Sequence, residues 1–115
     1  MRKTLLAVIG LCAVGCGGYP APTEQVATSL AAVRGAEEAG ALSVPEAALH
    51  VKLAQEQIEQ AKQLMSQDDN KRAEDRALRA QQDAELAVAI AREATAKQKL
   101  DQFEQANRNA GGESP

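Results

Sequence analysis

Few side chains in this sequence could do chemistry. The candidates are two cysteines (Cys12 and Cys16), one histidine (His50) and several neighbouring carboxylates. A thiol can serve as nucleophile, metal ligand or point of covalent modification, according to its surroundings. His50 stands alone on a charged helical stretch, where a histidine is far more often a surface group than a base. Neither a second histidine nor a mature cysteine could share a metal with it. Glu37–Glu38 and Asp68–Asp69 are adjacent in sequence, so their side chains splay instead of facing across a cleft as acid–base pairs do. Gln67-Asp68-Asp69-Asn70 lacks the spaced ligands, glycine and distal glutamate of a calcium loop and reads as a turn. No glycine-rich phosphate loop, nucleophile elbow or HExxH occurs. The expectation is a protein that is not an enzyme, with no metal and no cofactor.

Cys16 is the exception, because of what precedes it. Arg2 and Lys3 are followed by an apolar run from Leu5 to Val14. The run is too short to span a bilayer, which needs roughly 20 apolar residues, but it suits a signal-peptide core. It ends in Ala13-Val14-Gly15-Cys16, which resembles a bacterial lipobox: small residues before a cysteine that is acylated, with cleavage between Gly15 and Cys16. Val14, Gly15 and Cys16 fit that pattern; Ala13 stands where it prefers leucine. Ala13 and Gly15 also satisfy the small-x-small rule of ordinary signal cleavage, which would release a soluble protein with a free thiol. The cysteine at that one position favours lipidation, since an unpaired exposed thiol is a liability in an oxidising compartment. Several acyl chains anchor firmly where a single chain is marginal. Cys12 lies in the leader, so the mature chain has no internal disulfide. Gly17 follows the cysteine; lipoproteins of the enteric type carry aspartate there for inner-membrane retention, so its absence points to the periplasmic face of the outer membrane.

Removing residues 1–15 takes Arg2 and Lys3 with it, leaving 11 basic against 16 acidic side chains and a formal charge of −5. Tyr19 and Phe103 are the only aromatics. A nucleic-acid binder would want basic grooves and stacking rings, so nucleic acid is not an expected partner. An acidic surface offers no long-range attraction to anionic headgroups either. Membrane association is therefore expected through lipid on Cys16 alone.

What such an anchor would carry is set by a repeat. Ala73, Ala77, Ala80, Ala84, Ala87, Ala91 and Ala94 alternate in steps of four and three, and Gln98 continues the register. That is one face of a heptad-patterned helix, read over 70–107 without proline or glycine. Alanine on a seam lets two backbones approach closely, but a buried methyl contributes only about 0.8 kcal/mol, so length must replace bulk. Before it, Gly17–Pro22 reads as a flexible tether, with Cys16 making the segment 16–22. A first helix is expected over 23–39, with Thr23 as cap, a stripe of Val26, Leu30, Val33 and Glu37, and Gly40 as stop. A second helix starts at Val44-Pro45-Glu46 and carries Leu49, Leu53, Ile58, Ala61, Leu64 and Met65, large side chains to fill the narrow seam. Asp75–Arg79, Glu93–Lys97 and Glu104–Arg108 are i,i+4 pairs of a solvated face. Residues 108–115 read as a disordered tail. The fold class is all-α: an antiparallel hairpin of the second and third helices, the first packed alongside, a coiled-coil-like three-helix domain over 23–107.

The chain also resembles a family of short bacterial lipoprotein domains, domain of unknown function 4398. The residues that carry the resemblance are Ala36 to Gly40 with Ala41, Val44-Pro45-Glu46, Leu53-Ala54 through Ala61, the Gln67-Asp68-Asp69 turn before Ala73, and Asp83-Ala84-Glu85-Leu86-Ala87. Family members usually carry glycine and an aromatic in that turn, where this chain has Asp68 and Asn70. The resemblance implies a helical lipoprotein of the cell envelope and brings no catalytic residues.

Two functions are compatible with these features. The first is a lipid-anchored, non-enzymatic helical structural or adaptor protein of the envelope. The second is a soluble periplasmic peptide-binding or holdase-like helical module, although one hairpin does not make an array of repeats. Three slender helices leave little room for a small-molecule pocket. The second helix is about 33 Å long and the third about 57 Å, so the third overhangs its partners beyond Ala91. Leu86, Ile90, Leu100 and Phe103 add apolar groups off the seam. Either the overhang frays, or self-association or an envelope protein covers 86–103; the continued register favours association.

Overall fold

The computed structural model describes residues 17–111. The expected leader, the Gly15–Cys16 cleavage site with its acylated cysteine, and residues 112–115 of the expected tail lie outside them. Three helices follow in order: α1 over Thr23–Glu38, α2 over Pro45–Ser66 and α3 over Asn70–Gly111. A 3-10 turn at Ala41–Ser43 links the first two, and no strand occurs among the described residues. The all-α expectation holds.

The boundaries have local causes. Gly40 takes a left-handed φ of 82° immediately after α1, and its N–H bonds to the Glu37 carbonyl. That conformation is open to glycine without Cβ strain. Val44 is extended and Pro45 sits at the start of α2, where a missing N–H costs nothing. Between α2 and α3 the chain reverses in three residues. Asp68 adopts φ 59°, its N–H bonds to the Met65 carbonyl and that of Asp69 to the Leu64 carbonyl. This is a Schellman ending with aspartate where glycine is commonest. At the front of α1 the cap position is Pro22, not Thr23, and no side chain caps the helix.

α2 and α3 form the main antiparallel pair. α1 packs against both, more on α3 than on α2. The buried line of α2 is Ala47, Val51, Ala54, Ile58 and Ala61, in steps of four and three that match the alanine line of α3. Here the structure corrects the expected stripe: Leu49 is 55% exposed and Leu53 only half-buried. Backbones this close admit small side chains between them and displace large ones to the flanks, where Leu64 and Met65 pack against the core edge. The same holds in α1. Val26, Ser29, Val33 and Ala36 are buried, Leu30 moves to the core edge, and Glu37 is exposed. Among the described residues the largest fully buried side chains are only Ile58, Val51 and Ser29.

α3 continues to Gly111, past the expected end at 107, so residues 108–111 are helical and not part of a tail. Gln105, Ala106, Arg108 and Ala110 are good helix formers, and nothing breaks the run before Gly111. At 42 residues, α3 is about 63 Å long.

Candidate functional site

Three features could carry function: the alanine seam, the docking of the tether, and the free end of α3. Ala73, Ala77, Ala80, Ala84, Ala87 and Ala91 are all buried. Ala94 is half-buried, because α2 begins at Pro45 and the 3-10 turn covers no further along α3.

Ser29 is buried in the seam, with its hydroxyl 2.7 Å from both the Gln25 carbonyl of its own helix and the Ala77 carbonyl of α3. A hydroxyl proton shared between helices at this range needs small neighbours on both sides, and alanine supplies them. Beside it the Gln25 amide donates to Gln81 Oε1 at 2.8 Å. The heptad count alone did not single out Ser29. Its signal was spacing, since it lies three residues after Val26 and four before Val33.

Asp83 lies on the flank of α3 facing α2. One carboxylate oxygen is 3.0 Å from His50 Nδ1, and the other accepts from Gln57 Nε2 at 2.7 Å. His50 is thus half-buried against α3 and not the free surface group expected. No hydroxyl or thiol among the described residues hydrogen-bonds to this trio, so its geometry joins two helices and does not assemble a nucleophile. Gln57 Oε1 is buried without a hydrogen-bond partner, a small cost of holding the amide toward Asp83.

The tether is docked where flexibility was expected. Tyr19 donates its hydroxyl proton to Glu74 Oε2, and its carbonyl accepts from Asn70 Nδ2 at 2.8 Å. Both partners belong to the first turns of α3. Donating to Glu74 holds the phenol neutral and raises its pKa above the usual 10.0, with smaller contributions from partial desolvation and the charges of Glu74 and Asp75.

Beyond Ala91 no side chain of α3 is buried. Leu100 and Phe103 are 57% and 63% exposed. Lys97 Nζ meets Glu93 Oε1 at 2.6 Å; the hydrogen bond lowers the Glu93 pKa and raises that of Lys97. Asp75–Arg79 and Glu104–Arg108, also expected, are not ion pairs within 4 Å here; Arg72–Asp69 and Lys62–Glu59 are, at 2.9 and 2.7 Å. Where α1 stops, Gly35, Glu38, Ala39, Arg92, Thr95, Ala96 and Lys99 line a cleft of about 560 Å³, wider than three slender helices suggested but open to solvent. No group of three or more His, Cys, Asp or Glu among the described residues could hold a metal ion. No helix among them is long and apolar enough to cross a membrane.

No curated protein and no solved structure matches the chain. The family model described as domain of unknown function (DUF4398) matches residues 24–110, from the second residue of α1 almost to the end of α3. That span takes in the whole seam, the Schellman turn and the overhang, and the chain belongs to this family.

Proposed function

We propose that this protein is a lipid-anchored, non-enzymatic helical adaptor of the bacterial cell envelope, held by acyl chains on Cys16 at the periplasmic face of the outer membrane. One observation carries the reading beyond the lipobox. Tyr19 clasps the base of α3 through Glu74 and Asn70, and only Gly17 and Gly18 separate it from Cys16. The three steps from Cys16 to Tyr19 reach at most about 11 Å, so an anchor on Cys16 stays near that base. The exposed end of α3 then lies about 60 Å away along the helix. A clasp at one end and bare apolar groups at the other support a protein that holds a helix tip away from its anchor. Feeding cells a radiolabelled fatty acid tests the anchor. Label is expected in the wild type and absent from Cys16→Ser, with the labelled protein in the outer-membrane fraction. Equal, negligible label in both rejects the reading.

A further inference from the structure

We propose that the overhang of α3 pairs with the same segment of a second copy, antiparallel, with Leu100 of each chain opposite Phe103 of the other. This names a partner for the projecting tip and goes beyond the anchoring, since it stands whether or not Cys16 carries lipid. Leu86, Ala89, Glu93, Ala96, Leu100 and Phe103 are all exposed, on the side of α3 turned away from the buried alanines. They form a second line in the spacing of a helix–helix seam, and nothing in the fold covers it.

Charge selects the occupant. Lys97 and Glu104 follow Ala96 and Phe103 by one residue each and lie seven apart, on the same edge of this line. In an antiparallel pair each edge packs on the same edge of its partner. With Leu100 opposite Phe103, Lys97 of each chain falls beside Glu104 of the other, twice by symmetry. The axis of that pairing passes between Asp101 and Gln102. That point is also midway between Arg92, the first residue after the covered seam, and Gly111, where α3 ends. Each bare overhang therefore lies along the other clear of α2, with the end of α1 bordering it at Arg92, Thr95, Ala96 and Lys99.

Other registers are worse. Sliding the chains to set Leu86 against Phe103 puts Asp83 beside Glu104 and Arg92 beside Lys99. A parallel in-register pair sets Glu93 against Glu93 in the seam and Arg92 beside Lys97, against one favourable contact of Lys99 with Glu104. Like charges so placed oppose pairing. In the antiparallel pair the two tethers leave from opposite ends, about 95 Å apart.

The test is sedimentation of the full-length protein in density-matched mild detergent, with a photo-crosslinking side chain at Leu100 in a parallel sample. A concentration-dependent dimer is expected, cross-linked to the region of Phe103 in a second copy. Lys97→Glu and Glu104→Lys should each weaken it by about tenfold, and the double reversal should restore it, because the two sites are too far apart in one chain to pair with each other. Circular dichroism checks that each variant keeps its helices. A protein that stays monomeric to about 1 mM overturns the proposal. So does a dimer that Lys97→Glu strengthens or leaves unchanged, a double variant without rescue, or a cross-link to a different protein only. Loss of fatty-acid label with the dimer retained would sink the anchor and leave the pairing standing.

Discussion

The Ser29 hydroxyl lies 2.7 Å from the Ala77 carbonyl oxygen, across the seam between α1 and α3. A polar side chain at the centre of an alanine-lined contact joins two helices at a distance larger residues would forbid. Ser29→Ala should cost about 0.5–1 kcal/mol, a lost hydrogen bond partly offset by better helix propensity. Ser29→Leu should cost about 1–3 kcal/mol or more by forcing the helices apart. Urea unfolding of the two variants checks this. Equal stability of both would mean that the α1–α3 contact is loose.

The alanines of α3 differ in how fully they are covered. Ala84→Leu, in the fully covered part of the seam, should destabilise by about 1–3 kcal/mol. Glu85→Leu, one residue on and exposed, should change stability by less than about 0.5 kcal/mol. Ala94→Leu, beyond the end of α2, should resemble Glu85→Leu. Thermal melts that rank Ala94→Leu with Ala84→Leu would show cover over the overhang within a single chain.

Asp83 holds two donors at once, so its loss strands both. Asp83→Ala should cost about 1–2 kcal/mol, because His50 and Gln57 remain half-buried without their acceptor. Asp83→Asn keeps one acceptor oxygen and should cost less. Chemical denaturation that finds Asp83→Ala silent would reduce the trio to a surface contact.

Tyr19 is the only tyrosine and the chain has no tryptophan, so phenolate absorbance reads this one group. Its folded pKa is raised by donation to Glu74. The clasp therefore holds fully below the ordinary tyrosine value and is lost as pH rises through the raised one. Glu74→Gln should move the titration midpoint down toward the ordinary value. An identical midpoint in wild type and variant would mean that Tyr19 does not dock on α3.

Gly40 tests the turn after α1. A Cβ at this position would meet nothing within 4 Å, so the cost of Gly40→Ala is backbone strain at φ 82° alone. About 1 kcal/mol of destabilisation is expected, read by thermal unfolding. No change would imply that α1 ends flexibly.

The sequence by itself determined the number of helices, their order and the buried face of α3. Periodicity, Pro45, Gly40 and the Asp68–Asn70 turn act locally, through backbone geometry that neighbours do not override. The lipid attachment proposed at Cys16 rests on adjacent residues alone. Tertiary structure decided what faces the alanines. Leu49 and Leu53 looked like core by size, yet Ala47, Val51 and Ala54 are buried, because the separation of two backbones is a property of the pair and not of either helix. It also decided that Ser29, His50, Asp83 and Tyr19 have partners at all. Those partners are 48, 33 and 55 residues away in the chain, and no local pattern brings such groups within 3 Å of one another.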